Sequence, residues 1–242
     1  MIRRRSRIGS VALAVATLCL LCAGCRRTGG TPAGGDFAKD WFPMQPGARW
    51  VYEVRTELGS LDLEVAARGD VPVRGEDGKS LFVMEETNRG PSLGFVEKAP
   101  VAYERDRDYL GRYQAVDYDP DGKLRLLGQK AATRLLPNDP KTGMKWHQEN
   151  ELFATPENPG GKMTWDGEVL EVASVEVPAG KFAEALPVHT EYREIDAGEK
   201  PTMEYDDYYV RGVGLVRSVT RDPSGDPKKA IEIRLKEYHF PQ

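Results

Sequence analysis

From residue 49 to residue 240 the chain alternates apolar and polar side chains over runs of five to eight positions, and then breaks off. The runs are "RWVYEVRT" (49–56), "LDLEVAAR" (61–68), "SLFVMEET" (80–87), "VAYERD" (101–106), "YQAVDY" (113–118) and "KLRLL" (123–127). They resume with "GEVLEVASVEV" (167–177), "LPVHTEYREI" (186–195), "EYDDYYV" (204–210), "GLVRSVT" (214–220) and "AIEIRLKEYHF" (230–240). A period of two, rich in Val, Ile, Thr and Tyr, marks a strand with one face in the core. No stretch of ten or more residues beyond the N-terminal segment has a helical period. The breaks "GEDGK" (75–79), "DPDGK" (119–123) and "DPSGD" (222–226) carry the Asp, Pro and Gly that tight reversals need. The prediction is an all-β fold, a curved antiparallel meander that becomes either a half-open barrel or a two-layer sheet.

One spacing adds to this picture. "FPMQPGARW" (42–50) and "LPNDPKTGMKW" (136–146) share two prolines followed by Gly-x-x-Trp, and Gly47 and Gly143 stand 96 residues apart, as do Trp50 and Trp146. Each copy precedes a run of strands. With no linker-like composition between them, the expectation is one β domain over 40–242, built from two similar half-units at about 40–130 and 131–242. Each tryptophan should plug an end of the core, with its glycine turning the chain into place.

The first residues follow a different rule. Arg3, Arg4, Arg5 and Arg7 precede an apolar run from Val11 to Cys22, and the small pair Ala23-Gly24 leads into Cys25. This is the layout of an export signal. At twelve residues the run is well short of the roughly 20 needed to cross a bilayer as a helix. All three cysteines, Cys19, Cys22 and Cys25, lie here. "LCAGC" resembles the lipobox of bacterial lipoproteins, with Cys22 where that family usually has Leu. The resemblance implies that residues 1–24 are removed, that Cys25 is lipidated and becomes the N-terminus, and that the chain is anchored in a membrane through that lipid. In that family a residue other than Asp after the cysteine goes with the outer membrane, so Arg26 points to the outer membrane and its periplasmic face. Residues 25–39, rich in Gly, Thr and Pro, read as a flexible tether.

Cleavage changes both charge and redox chemistry. The chain carries −4 in total, and the removed segment holds four arginines and no acid, which leaves −8 on the mature form. Such a surface repels nucleic acid, and no basic stripe offsets it. No cysteine remains to pair, so the core alone must hold the domain; at roughly 200 residues about 70% of the unfolded surface can be buried.

"WFPMQPGARWVYE" (41–53), "VEVPAGKFAEALPV" (175–188) and "YYVRGVGLVRS" (208–218) together resemble a broad group of exported bacterial proteins, many of them lipoproteins. The group combines an F-P-L-x-x-G-x-x-W-x-Y start, a V-P-A-G-x-F turn and a Y-x-x-G-V-G-x-V strand; Met44 stands here for the usual Leu. The resemblance implies a curved antiparallel sheet and brings no activity. In the residues themselves, Pro178 and Gly180 make a reversal that returns Phe182 to the core, while Gly212 and Gly214 permit a bulge or a close backbone approach.

Candidate chemistry is sparse. "GPSLG" (90–94) has the G-x-S-x-G pattern around Ser92, but the segment after it, with Pro100, cannot start the helix that a nucleophile elbow requires, so a hairpin turn is expected. "DYDPDGK" (117–123) places Asp117, Asp119, Asp121 and Gly122 as a calcium loop would, yet its twelfth position is Gly128 rather than Glu, and a turn is the better account. His147, His189 and His239 are too dispersed for a local metal motif. The pair Asp206-Asp207 reads as a solvated face, and Tyr205, Tyr208 and Tyr209 as core and cross-strand residues. No catalytic residue, cofactor site or metal site is expected. The expected role is that of a non-enzymatic binding or scaffolding module; the alternative is a carrier of a lipid or other hydrophobe in an apolar concave face. The packing of Val51, Leu63, Phe82 and Val172 discriminates between them, since a filled interior leaves no room for cargo.

Overall fold

The computed structural model describes residues 34–89, 97–113, 115–153, 161–194, 203–221, 226 and 229–242. Its first six strands are β1 (Arg49–Thr56), β2 (Gly59–Pro72), β3 (Ser80–Arg89), β4 (Glu97–Arg105), β5 (Tyr109–Tyr113) and β6 (Val116–Tyr118). Then come β7 (Leu124–Leu126), β8 (Thr133–Pro137), β9 (Lys145–Leu152), β10 (Gly161–Val169) and β11 (Ala173–Val177). The last are β12 (Gly180–Glu194), β13 (Met203–Val210), β14 (Gly214–Arg221) and β15 (Ile231–His239). Alternation does what it should: on β1, Trp50, Tyr52 and Val54 are buried, while Val51 and Glu53 between them are only half-buried.

Among the described residues, thirteen strands form one antiparallel sheet that runs β8-β5-β4-β3-β2-β1-β15-β14-β13-β12-β10-β9, with β11 beside β12. The first and last strands of the folded region join in its middle, where Trp50 faces Tyr238 and Val54 faces Ile233. The path is thus two meanders back to back, the second beginning at β9. The sheet curls so that its free edges, β8 and β9, meet in a nearly closed barrel with an unsealed seam.

Side chains span that seam. Gln148 accepts from the Arg134 N–H at 2.7 Å and donates to the Ala132 carbonyl at 2.9 Å. Asn150 donates to the Ala131 carbonyl at 3.3 Å and to Thr133 Oγ1 at 3.4 Å. At one end of the seam backbone pairing returns, with the Lys130 N–H on the Glu151 carbonyl at 3.0 Å. An unpaired strand edge is a template for aggregation, and amide side chains that satisfy it remove the hazard at the cost of a weaker join.

The two glycine–tryptophan turns have the same hydrogen bonds. The Gly47 N–H donates to the Ala67 carbonyl (3.0 Å), the Ala67 N–H to the Ala48 carbonyl (2.8 Å), and the Ala48 N–H to the Gln45 carbonyl (3.1 Å). Ninety-six positions on, the Gly143 N–H donates to the Val169 carbonyl (2.8 Å), the Val169 N–H to the Met144 carbonyl (2.9 Å), and the Met144 N–H to the Lys141 carbonyl (2.9 Å). Gly47 and Gly143 have φ of 82° and 80°, a region that favours glycine. Both tryptophans are buried.

Other elements fill in around the barrel. The β6–β7 hairpin packs Val116 and Leu124 on outward residues of β3 and β4, Leu81, Val83 and Ala102, which explains the continuous burial from Leu81 to Met84. Before β1, a 3-10 turn, Gly35–Lys39, packs Phe37 against the core. The Gly212 N–H donates to the Asp40 carbonyl at 2.8 Å, and a Cβ on Gly212 would lie 2.9 Å from the Ala38 carbonyl oxygen. The chain is therefore packed ahead of Asp40, because the glycine after β13 lets it approach.

Strand boundaries differ from expectation in three places. The run 167–177 is two strands, β10 and β11, parted by Leu170 and Val172, which are exposed. The run 113–118 is divided between β5 and β6. Strands β8 and β9 had no counterpart among the predicted runs, because the inward positions of β9 are Trp146, Gln148 and Asn150, and the two amides hide its period.

Candidate functional site: the barrel lumen

Inward side chains of β1–β5, β8, β13, β14 and β15 leave a cavity of about 210 Å³ between them. Its apolar wall includes Leu63, Val65, Met84, Leu135 and Ile233, and its aromatic wall Phe42, Trp50, Tyr52, Tyr103, Tyr205 and Tyr209. One end is plugged. Trp50 donates from Nε1 to the Val213 carbonyl at 2.7 Å and meets Phe240 edge-on at 5.3 Å. Phe42, from the segment before β1, packs on Tyr103 at 4.9 Å and on Tyr209 at 6.4 Å between ring centres. Toward the opposite end, where β13 begins and β14 finishes, Tyr205, Thr220 and Ile233 are only half-buried. The lumen thus opens at the end away from residues 34–48.

Three charged side chains enter this wall. Glu86 follows Phe82 and Met84 in the inward phase of β3, and Asp207 lies between Tyr205 and Tyr209 on β13. Arg112, from β5, is surrounded by protein, yet a third of its side-chain surface (33%) is open, because that surface faces the cavity. Its Nη2 lies 3.5 Å from Glu86 Oε1, and its buried Nε has no hydrogen-bond partner among the described residues.

Electrostatics follow from burial. Desolvation pushes the Tyr52 and Tyr209 phenols well up, and Tyr103 up to about 12. Burial also raises the Asp207 carboxyl, which hydrogen bonds from Ser218 and Tyr209 and the nearby Arg112 only partly offset. For Arg112 burial works against the cation, but Tyr103, Glu86, Asp207 and Tyr209 outweigh it, so the guanidinium stays charged. The arrangement can grip a small polar group deep in an apolar sleeve.

The sequence-based candidates fall as follows. Asp206 and Asp207 are not a shared solvated face: a period of two sends Asp206 outward to His189 Nδ1 (2.8 Å) and Arg221, and Asp207 into the lumen. Tyr205 stacks on Trp165 at 5.6 Å and Tyr209 is buried, while Tyr208, on the other face of β13, is half-buried against the core and beneath Arg217 at 5.5 Å, so all three are core or cross-strand residues as expected. In the "DYDPDGK" turn Asp119 accepts from the Asp121 and Lys123 N–H groups, both at 2.9 Å, so its oxygens shape the reversal. His147 pairs with Asp166 (2.7 Å) on the outer face, and His189 borders the same shallow hollow over Gly167; His239 is exposed on β15. Among the described residues no group of three His, Cys, Asp or Glu is arranged to hold a metal ion. Phe182 is packed against the core. Ser92 and Cys25 lie outside the described residues. Of the four discriminating residues, Leu63 and Phe82 are buried in the core, Val51 is half-buried on the outward phase, and Val172 is exposed.

Arg112 and Glu86 escaped the sequence reading. The signal for Glu86 was present as Phe-x-Met-x-Glu, a charge in phase with core residues, and Tyr-x-Asp-x-Tyr was its counterpart for Asp207. Arg112 was hidden because β5 was not separated from the run that follows it.

No family model matches this chain, and no curated protein matches it in sequence. Among solved structures it is similar to "a putative lipoprotein" from Parabacteroides distasonis, with a TM-score of 0.52 and 14% identity, over 83% of this chain and 99% of that one. It is also similar to "a putative exported protein with YmcC-like fold" from Bacteroides fragilis, with a TM-score of 0.46 and 14% identity over the same shares. The first likeness shows a shared fold; the second is too loose to add to it.

Proposed function

We propose that this chain is a lipid-anchored protein of the bacterial cell envelope, held by Cys25 on the periplasmic side of the outer membrane, that binds a small ligand in its lumen without catalysing a reaction. The observation that carries the binding role is the lumen itself: a cavity of about 210 Å³, plugged at one end, open at the other, with Arg112, Glu86 and Asp207 in its wall. Binding sites are concave, mostly apolar and fitted with a few convergent polar groups. Phenols pushed away from neutrality suit binding better than proton transfer. The volume falls below the roughly 300–1,000 Å³ of pockets for drug-sized ligands, which favours a small molecule over the acyl chains of the carrier alternative.

Anchoring is supported by the lipobox-like "LCAGC" and by the description of the Parabacteroides structure as a lipoprotein. Eight residues, 26–33, separate Cys25 from Gly34, a reach of at most ~30 Å when extended. The described chain begins at Gly34, and the segment that follows it lies at the plugged end of the barrel. Cys25→Ser is expected to abolish membrane retention while leaving the fold intact, since Cys25 stands ten residues ahead of the turn, Gly35–Lys39, with which packing on the core begins. Fractionation with far-UV circular dichroism checks this; a mutant that still partitions with membranes contradicts the anchor.

A further inference from the structure

The segment ahead of β1 lies across the plugged end of the lumen, yet little of it is core: from residue 34 to residue 47 only Pro43 is buried. Two arginines, from strands six steps apart in the sheet, grip its backbone. Arg211, directly after β13, donates to the Lys39 carbonyl at 2.8 Å and lies 4.3 Å over the Trp41 ring. Arg105, at the end of β4, donates to the Phe42 carbonyl at 3.0 Å and stands 3.9 Å from the Asp40 carboxylate. Among the described residues two further hydrogen bonds tie residues 34–46 to the barrel, from the Gly212 N–H to the Asp40 carbonyl at 2.8 Å and from Gln45 Nε2 to the Pro241 carbonyl at 2.9 Å. Each inner strand of the sheet, by contrast, is held by a hydrogen-bonded ladder on both sides. Two polar atoms of the segment, Trp41 Nε1 and Gln45 Oε1, are buried without a hydrogen-bond partner among the described residues.

We propose that residues 37–45 are a displaceable plug, which lets go as one unit and uncovers the lumen beside Tyr103 and Tyr209 while the barrel stays folded. Phe42 lies next to both grips, so release withdraws its ring from those two tyrosines and lengthens the cavity toward that end. Water reaches Trp41 Nε1 and Gln45 Oε1 only in the released form, and the hydrogen bonds it supplies there offset part of the contacts given up. The hinge is at Gly47, whose N–H stays on the Ala67 carbonyl at 3.0 Å where the chain turns into β1. Segments with few buried contacts open locally at a free energy below that of global unfolding. The plug acts in this way whatever the lumen binds.

Chymotrypsin acting on the full-length protein in detergent, with products identified by mass spectrometry, reads the release at the Trp41–Phe42 bond. A protease needs an extended stretch of chain on both sides of the bond it cuts, so this bond is open to attack only when the segment has left the barrel. Without denaturant the cut is expected while the fragment from Phe42 onward stays folded by circular dichroism, at a rate that low urea hardly changes, because little surface is exposed. Arg211→Gln and Arg105→Gln are each expected to speed the cut about tenfold, and the double variant about a hundredfold, with the urea midpoint of the barrel little changed. A rate that climbs with urea as steeply as global unfolding overturns the plug, since the segment then lets go only with the barrel. Acceleration by one variant and not the other also overturns it, because that is fraying at one grip and not release as a unit. No cut at this bond while the barrel is intact has the same force. The urea dependence of the wild-type rate decides the matter if either variant fails to fold.

Discussion

Trp50→Ala is expected to cost about 3–5 kcal/mol of folding stability, a large share of what a domain of this size possesses. The indole is 3% exposed, meets Phe240 edge-on, and donates to the Val213 carbonyl in the plug of the lumen. Truncation opens a cavity and strips that carbonyl of its donor. Trp146→Ala belongs to the same class, since its ring is 6% exposed and packs over Gly167 and near Tyr109. Its Nε1 has no partner, so its loss orphans no acceptor, and its cost should lie at the lower end of that range. Denaturant melts of the two single mutants measure both. A change within about 0.5 kcal/mol for either, as surface substitutions give, would show that its ring is not part of the core.

The second large effect is at Gly167, and it depends on the first. A Cβ there would lie 2.1 Å from two atoms of the Trp146 ring, so the ring and the β9 backbone that carries it must move. Gly167→Val is expected to destabilise by about 1–3 kcal/mol or more through overpacking. In a Trp146→Ala background the sign should reverse, because valine then fills space the indole has vacated. Direct neighbours show coupling of about 0.5–3 kcal/mol in double-mutant cycles. Melts of the four proteins in the cycle decide it; additive losses would mean that the two residues are not in contact.

The all-β class and most strands were legible because one face of each strand is core. Trp50, Tyr52 and Val54 announce β1, and β14 follows the same rule with Gly214, Val216 and Ser218 buried. The Gly-x-x-Trp echo was legible too, since it rests on local turn chemistry, and Gly47 and Gly143 carry it in matching hydrogen bonds. Where inward positions do a polar job, periodicity fails. Gln148 and Asn150 span the seam and so erase β9 as an apolar pattern. The site escaped for a related reason. Glu86 and Asp207 are in phase with core residues, but whether an inward charge meets a partner depends on Arg112, whose strand β5 is two steps along the sheet from Glu86 on β3 and seven from Asp207 on β13, so that only the curl of the sheet brings it near Asp207. Closure is a property of the whole sheet and leaves no local mark.

A lumen that is a binding site, and not a packing defect, should be occupied in the cell. The most direct measurement is a high-resolution crystal structure of the protein as purified from its own membranes, examined between Trp50 and Arg112. A bound small molecule is expected there, in contact with the Arg112 side chain, with Phe42 still closing the plugged end. An occupant-free lumen, with Arg112 and Glu86 drawn into an ordinary ion pair at about 2.8 Å and the surrounding rings collapsed into the space, would contradict it.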